Sequence, residues 1–474
     1  MDAERAVMAR VVAEAEAFLG GLDGRPVNAA ADVDQVAAAL GGPLPETGLD
    51  PLAVVDALVA GAGPGVVAMP SGRFFGWVIG GVLPAALGAD WLTSLWDQNA
   101  GLLVSSPAAA GAERAAAGWL LDLLGLPPAA AVGFVTGAMM ANFTCLAAAR
   151  HAVYRRAGWD VDADGLLGAP PLTVVVGEER HDAVDIALRY LGLGHARSRV
   201  VAADEQGRLR LDRLAELLEA REPGPLVVCL QAGNVNSGSF DPLGAAVDLV
   251  HRHGGWVHVD GAFGLWAAAV PGLRHLTDGV ERADSWATDA HKTLNVPYDS
   301  GIAVVADPAA LHAAMGVHAA YLIQDERPDP VAAVPEFSRR ARGFAVWAAL
   351  RSLGRSGVAD LVEQLTRRAT RFADALGRLD GVQVVNDVVF TQVCVAFDGD
   401  AETREVARRL LAEGTAWMTP SVWQGRAVLR ISVSNWRTTE DDVDRTVAAV
   451  ARVLADVRGS AQAPASGRVW EAAK

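Results

Sequence analysis

Between residues 131 and 306, short apolar runs rich in valine alternate with longer segments of helical periodicity. The runs LTVVVG (172–177), LVVCLQ (226–231) and GWVHVD (255–260) are apolar without alternation, and GIAVVA (301–306) is a further run of this kind. Continuous apolar strands are buried on both faces, and strand–helix–strand repetition predicts a mainly parallel sheet covered by helices. In this α/β architecture, ligands bind beyond the carboxyl ends of the strands.

The chain on either side of this core has different patterns. Residues 1–67 hold helical patterns broken by glycine and proline, and we expect them to form an arm that packs on a partner subunit. Residues 68–350 are predicted to form the large domain, and residues 351–474 a small C-terminal α/β domain with a last amphipathic helix. The tail from Gly459 is rich in alanine, serine and glycine, which predicts a frayed end.

Composition narrows the range of partners. The 474 residues are 51% hydrophobic and carry a net charge of −15, which disfavours nucleic acid and anionic membranes. The N-terminus lacks the basic start of a signal peptide, and no window of about 20 residues is apolar enough to span a membrane, so a cytoplasmic protein is predicted. Cys145, Cys229 and Cys394 lie far apart, which argues against a disulfide framework and zinc pairs; no metal is expected.

The loop-to-helix transition at Thr136-Gly137-Ala138 is a candidate anion site. Small residues at a helix N-terminus leave backbone N–H groups free, and the helix dipole favours an anion there. The same pattern is also ordinary helix capping, so on its own it is a weak signal. The sequence has no GxxxxGK[ST] loop, and the Gly192-Leu-Gly194 pair follows a helix instead of a strand, so no nucleotide site is indicated.

A carboxylate and a lysine stand at two later strand exits. Asp260 closes the run GWVHVD, and Lys292 follows in DSWATDAHKTLNVPYDSG (284–301). A pyridoxal phosphate enzyme requires a lysine that forms a Schiff base with the cofactor aldehyde and an acid that holds the pyridine nitrogen protonated. The alternative interpretation of each residue alone is a surface lysine for Lys292 and a turn-capping aspartate for Asp260. Their order along the strand exits favours the cofactor site.

His181 opens a helix after another buried strand. A planar imidazole there is placed to stack on a flat aromatic cofactor, although a helix-capping or surface histidine is the alternative interpretation. Ala262, two residues after Asp260, is small enough to lie against the other face of a ring. His291, next to Lys292, is free to hydrogen-bond a phosphate group.

Together these segments resemble the group II pyridoxal-phosphate-dependent amino-acid decarboxylases, which include the aromatic-amino-acid and glutamate decarboxylases. The similarity spans about residues 68–450 and includes HVDGAFG, DAHKTLNVPYDSG, SRRARGFAVWAALR (338–351) and LRISVSN (429–435). It implies the α/β fold type I of pyridoxal phosphate enzymes, which is aspartate-aminotransferase-like, with a mainly parallel, seven-stranded-type sheet in the large domain. It also implies a homodimer with active sites shared at the subunit interface.

The resemblance assigns roles to individual residues. Lys292 holds pyridoxal 5′-phosphate as a Schiff base, Asp260 pairs with its pyridine nitrogen, and His181 stacks on the ring and takes part in catalysis. The other implied site residues are Ala262 against the ring, Gly137, Ala138, Met139 and His291 at the phosphate, and Trp77 and Arg430 near the substrate.

Three departures from the family pattern bear on the reaction. Met139 and Met140 stand where many relatives have hydroxyl residues, and Asp289 stands where asparagine is common. The mobile loop of the family carries a tyrosine that donates a proton. The corresponding segment here, residues 322–337, contains no tyrosine, and Tyr321 lies just before it.

The sequence therefore predicts pyridoxal-phosphate-dependent decarboxylation of an L-amino acid, and the segment rich in tryptophan and phenylalanine near Trp77 favours an apolar or aromatic side chain. The missing loop tyrosine leaves open a C–C lyase or aldolase, or a decarboxylation-coupled oxidative deaminase. A third possibility is an inactive or regulatory homologue. The joint presence of Lys292, Asp260 and His181 speaks against it.

Overall fold

A seven-stranded sheet forms the centre of the computed structural model, which describes residues 2–316 and 328–462. Its strands are β1 (Ala131–Val135), β2 (Thr173–Gly177), β3 (Arg199–Val201), β4 (Leu226–Gln231), β5 (Trp256–Asp260), β6 (Ser285–Asp289) and β7 (Gly301–Val305). They are arranged in the order β1-β7-β6-β5-β4-β2-β3. Every residue of β4, β5 and β7 is buried, as their continuous apolar runs predict, and every residue of the more polar β6 is buried as well.

The sheet is parallel apart from β7, which runs antiparallel to both β1 and β6. The predicted mainly parallel sheet is therefore confirmed. The sequence did not predict the reversed direction of β7. Because β1, β2, β4, β5 and β6 point the same way, the loops that follow them meet at one edge of the sheet.

Helices cover both faces of this sheet. The helices of the chain are α1 (Asp2–Gly21), α2 (Val33–Leu40), α3 (Pro51–Ala62), α4 (Pro84–Trp96), α5 (Pro107–Leu124), α6 (Ala138–Arg156), α7 (Val161–Asp164), α8 (Asp182–Tyr190), α9 (Leu211–Ala220), α10 (Leu243–Arg252), α11 (Pro308–Met315), α12 (Gly343–Leu376), α13 (Asp400–Glu413) and α14 (Glu440–Gln462). Buried side chains of α6, α8 and α11 form the core on one face. Those of α5, α9, α10 and the first part of α12 form the core on the other.

A second, antiparallel sheet lies in the C-terminal part of the chain. It consists of β8 (Gln383–Val384), β9 (Gln392–Ala396), β10 (Thr419–Trp423) and β11 (Arg426–Ser432), in the order β10-β11-β9-β8. Helices α13 and α14 and the second part of α12 pack on it. This agrees with the expected small C-terminal α/β unit.

Helix α12 connects the two cores, and its backbone leaves the helical region at Gly354, where φ is 64°. Phe75, far earlier in the chain, also belongs to the core of the small sheet and donates its backbone N–H to Trp417. The domain limits at residues 67 and 350 stay a prediction. Helices α1 to α3 bury none of their own side chains within this chain.

Two expectations from the sequence concern the C-terminal tail and the loop segment at residues 322–337. Helix α14 continues to Gln462, beyond the residue at which the frayed tail is predicted to begin, and the fraying stays a prediction. Tyr321 and residues 322–327 of the loop segment lie outside the described residues. Within residues 2–316 and 328–462, no helix is long and apolar enough to cross a membrane, and no group of three or more acidic, histidine or cysteine side chains is arranged to hold a metal.

A buried ion pair attaches α5 to the segment before α12. The Arg339 guanidinium donates to both carboxylate oxygens of Glu113, at 2.6 and 2.8 Å, and both side chains are buried. Gly343, the first residue of α12, packs so closely on Glu113 that a β-carbon there would clash with its side chain. The two charges compensate each other, so losing one leaves the other buried and unpaired.

We expect Glu113→Ala to lower the free energy of unfolding by about 3 to 5 kcal/mol, because it isolates the Arg339 charge. The matched control is Asp122→Ala, which removes an ion pair from the same helix to Arg355 where both side chains are largely exposed. That control should cost less than about 1 kcal/mol. Urea denaturation of the two variants measures the difference, and equal losses would contradict the assigned importance of the buried pair.

Candidate active site

The loops at the carboxyl edge of the large sheet surround a cavity of about 400 Å³. All ten site residues expected from the sequence line it. They are Trp77, Gly137, Ala138, Met139, His181, Asp260, Ala262, His291, Lys292 and Arg430. The structure therefore brings these residues into one cavity, although they lie far apart in the sequence.

Asp260 is the last residue of β5 and is only 6% exposed. One carboxylate oxygen accepts a hydrogen bond from the Asn142 side-chain amide at 3.1 Å, and the other accepts the Ala262 backbone N–H at 3.1 Å. Among the described residues, no positively charged side chain pairs with it. A buried carboxylate with hydrogen-bond donors but no counter-charge is suited to a cationic N–H group supplied by a ligand.

Lys292 lies in the turn after β6, with its side chain 20% exposed toward the cavity. The turn is held by tight backbone packing, since Gly80 donates its N–H to His291 and a β-carbon on Gly80 would clash with the Lys292 carbonyl. The whole sequence contains only two lysines, Lys292 and Lys474. This scarcity is a sequence signal for Lys292 that the motif argument did not use.

Asp289 is the ionic partner of Lys292. The sequence marked Asp289 only as a residue that differs from the family pattern, and it did not predict this ion pair. Its carboxylate lies 2.8 Å from Lys292 Nζ, accepts the Ala138 N–H at 2.6 Å, and is 3.5 Å from His291 Nε2. Burial alone would raise the pKa of Asp289, but the charges and hydrogen bonds of Lys292 and His291 bring it below its ordinary value. Asp289 is therefore an anion at neutral pH.

The turn before α6 offers donors for an anion. The first-turn N–H groups of a helix have no intrahelical acceptor, which leaves Met139 and Met140 free to donate. Gly137 precedes this turn, and a β-carbon on Gly301 would clash with its backbone, so glycine is needed for the close approach. His291 Nδ1 accepts the Ser300 N–H at 3.2 Å, so the neutral ring carries its proton on Nε2.

His181 caps a helix, which is one of the two interpretations that the sequence left open, and the stacking on a cofactor stays a prediction. It is the N-cap of α8, where its Nδ1 accepts the Ala183 N–H at 3.1 Å, and it also lines the cavity. Because Nδ1 is the acceptor, the neutral ring carries its proton on Nε2. The capping bond thus fixes the tautomer of a ring that stands at the edge of the site.

Trp77 and Arg430 lie at the part of the cavity nearest the small sheet. The Trp77 backbone has a φ of 49° and donates to Thr419 Oγ1 at 2.7 Å, and its ring lies 5.7 Å from that of Trp417. Arg430 is buried on β11, and the one hydrogen bond of its guanidinium is a long one, 3.5 Å to Asn236 Oδ1. Within the described part of the chain it has no carboxylate partner.

These features match the functional groups of pyridoxal phosphate. The buried carboxylate of Asp260 suits the pyridinium, the amine of Lys292 suits the aldehyde, and the first turn of α6 with His291 suits the phosphate. The orphaned Nε of Arg430 marks a further unmet need for an anion. One group conflicts with this fit, because the Asp289 carboxylate occupies a donor of the same helix N-terminus.

Comparison with known proteins agrees with this assignment. Residues 55–398 match the model of the pyridoxal-dependent decarboxylase conserved domain. Tryptophan decarboxylase 1 of Oryza sativa subsp. japonica is 29% identical over 405 residues, 78% of each chain. Cysteine sulfinic acid decarboxylase of Mus musculus is 29% identical over 352 residues, 71% of this chain and 70% of the relative.

A solved structure of the Oryza sativa enzyme, in complex with pyridoxal phosphate and tryptamine, superposes with a TM-score of 0.89 at 25% identity, covering 96% of this chain and 98% of that one. The expected fold, cofactor and reaction class are thereby confirmed: the protein uses pyridoxal phosphate and is a carboxy-lyase of amino acids. The chain belongs to the pyridoxal-phosphate-dependent decarboxylase family.

Proposed function

We propose that this enzyme removes the α-carboxylate of an L-amino acid with an apolar or aromatic side chain, using Lys292 as the covalent anchor of the cofactor. The observation that supports this most directly is the cavity itself. It contains Lys292, one of the two lysines of the sequence, together with Asp260, a buried aspartate that has no cationic partner among residues 2–316 and 328–462.

Pyridoxal phosphate, when bound, supplies a sink for the electron pair that a broken bond at Cα leaves behind. The part of Asp260 in this scheme is to hold a proton on the ring nitrogen, since a buried anion favours the charged form of a neighbouring base. His181 and Ala262 are proposed to contact the two faces of the ring. The first turn of α6 and the Nε2–H of His291 are proposed to donate to the phosphate.

Arg430 is proposed to position the α-carboxylate of the substrate, which is the one carboxylate of an L-amino acid with an apolar or aromatic side chain. Its guanidinium is buried, and burial lowers the pKa of Arg430, which shows that its charge is poorly compensated within the chain. A substrate carboxylate would restore the missing counter-charge. Much of the nearby cavity wall is apolar, with Val78, Ile79, Val235 and Phe263, which favours an apolar or aromatic side chain.

The proton that replaces the carboxylate must come from a group at the cavity. His181 Nε2 carries a proton in the tautomer fixed by its capping bond. Tyr298 also lines the cavity, and partial desolvation of its phenol, together with the charge of Asp289, raises its pKa to about 12, so the phenol is protonated at neutral pH although much of the side chain is exposed. Either group replaces the loop tyrosine in this proposal. The lyase and oxidative alternatives depended on residues 322–337, part of which lies outside the described residues.

We also propose the homodimer with shared active sites that the family resemblance implies. Trp77 and Tyr298, which line the cavity, are 47% and 54% exposed in the single chain. Large aromatic groups exposed at the mouth of a cavity favour a covering surface, and a second subunit would exclude water from the site. The cytoplasmic location stays a prediction.

The lysine content allows a direct test of the anchor. Borohydride reduction of the protein with pyridoxal phosphate should add one cofactor mass to the peptide containing Lys292, and Lys292→Ala should lose both this label and the visible absorbance band. Lys474→Arg, which removes the only other lysine, should keep both. Persistence of the absorbance band in Lys292→Ala would contradict the assignment.

The reaction itself is tested with a panel of L-amino acids that includes tryptophan, tyrosine, phenylalanine, leucine, aspartate and cysteine sulfinate. We expect carbon dioxide and the corresponding amine in equal amounts from the aromatic or apolar members, because of the apolar cavity wall. Aldehyde, peroxide and glycine are measured in the same samples. Release of aldehyde or glycine without amine would overturn the decarboxylase proposal, and turnover of only the acidic members would overturn the substrate class.

Asp289 provides a test of the phosphate site. Asp289→Asn keeps an acceptor for the Ala138 N–H but removes a negative charge that faces the bound phosphate, so cofactor affinity should rise about tenfold. Asp307→Asn is the control, because Asp307 caps α11 at the opposite edge of the sheet and should leave affinity unchanged. Equilibrium titration with pyridoxal phosphate measures both. A weaker affinity in Asp289→Asn would show that the carboxylate supports the cofactor instead.

A further inference from the structure

Behind Asp260, four buried polar side chains extend away from the cavity in a continuous line. Asn142 Nδ2 lies 3.1 Å from Asp260, and Asn142 Oδ1 lies 2.8 Å from His258 Nε2. His258 Nδ1 lies 3.0 Å from Ser285 Oγ, which accepts the indole N–H of Trp256 at 2.9 Å. All four residues are at most 4% exposed, so water does not compete for these bonds.

The hydrogen bonds of this line satisfy every group in only one direction. An indole N–H donates and never accepts, so Trp256 directs the Ser285 hydroxyl hydrogen toward His258 Nδ1. The neutral His258 ring then carries its proton on Nε2 and donates to Asn142 Oδ1. This orients the Asn142 amide so that its N–H₂ group faces the Asp260 carboxylate. In the reverse direction, Asn142 Oδ1 would face the Asp260 carboxylate, and two acceptors would meet with no hydrogen between them.

This direction of the hydrogen bonds requires a neutral His258 ring, and the burial of the ring keeps it neutral. Burial lowers the pKa of His258 to about 3, and no carboxylate among the described residues contacts its ring. The ring faces Asn142 of α6 on one side and Ser285 of β6 on the other, both uncharged. The line therefore keeps its direction across the neutral pH range.

We propose that Asn142, His258 and Ser285 are positioning residues that hold Asp260 as an anion aimed into the cavity. An aligned series of donors polarises each successive bond, and its end favours the ionised carboxylate. The inference rests on the proposed role of Asp260 at the cofactor ring nitrogen. It adds a reason why the Asp260 carboxylate stays aimed into the cavity, where it can accept the N–H of a pyridinium.

Cofactor affinity is the first measurement. Wild type and Asp260→Asn provide the reference pair, and Asn142→Leu and His258→Phe should each weaken binding of pyridoxal phosphate about 10- to 100-fold, in the direction of Asp260→Asn. Thr144→Val is the matched control. It removes a buried hydroxyl from the same helix that bonds only to Met140 of α6, and it should leave affinity unchanged.

An isosteric variant separates positioning from packing. Asn142→Asp preserves shape but places two carboxylates at hydrogen-bond distance, which cannot both stay ionised. Its cofactor affinity should therefore fall as the pH is lowered through the neutral range, whereas the wild-type affinity should stay flat there. Matching pH profiles for the two proteins would overturn the inference, as would unchanged affinity in both Asn142→Leu and His258→Phe.

A measurement without cofactor tests the direction of the line. In protein labelled with ¹⁵N-histidine, the resonance that His258→Phe removes should be that of a neutral ring protonated on Nε2. A ring protonated on Nδ1, or a charged ring, would overturn the inference. A wild type that fails to attach the cofactor at Lys292 would instead refute the proposed function, so the two failures are distinguishable.

Discussion

A carboxylate buried at the end of a central strand is the constraint on which the site depends. Asp260 meets N–H donors from Asn142 and Ala262, yet no positive side chain pairs with it in the described part of the chain. An unpaired buried anion is costly, so its presence is best explained by a cation that arrives with the ligand. The parallel strands, which end at one edge, place the amine of Lys292 in the same cavity as this anion.

The cavity also depends on the contact between two cores. Arg430 belongs to β11 of the small sheet, while Asp260 and Lys292 follow strands of the large one. The segment from Phe74 to Gly80 connects them, because Trp77 donates to Thr419 of the small sheet and Gly80 donates to the carbonyl of His291 beside Lys292. Residues from separate packing units therefore face one another, and a shift between the cores would change the distance between substrate and cofactor groups.

Much of the site was predictable because strand exits carry chemistry in this fold: Asp260 ends a recognisable apolar run, His181 follows another, and Lys292 stands in a motif that resembles the family. The direction of β7 was not, since an apolar run has the same pattern in either orientation. His258 had a usable signal, because it lies two residues before Asp260 and must share its face of the strand. Asn142 had none: its contact with Asp260 depends on how α6 packs on the sheet, and the alanine-rich sequence of that helix does not specify this.

The scarcity of lysine relative to arginine also supports the proposed role of Lys292. Lysine and arginine together number 41, and only two are lysines, so arginine supplies nearly all positive charge, including the ion pair with Glu113. Both residues supply positive charge, and arginine is the better partner for a buried carboxylate because its guanidinium binds in bidentate fashion. A guanidinium stays protonated in proteins and cannot serve as the free amine that attacks an aldehyde. A chain that uses arginine almost everywhere else carries lysine at position 292, beside Asp289 in the cavity, which supports the proposed attachment of the cofactor at this residue.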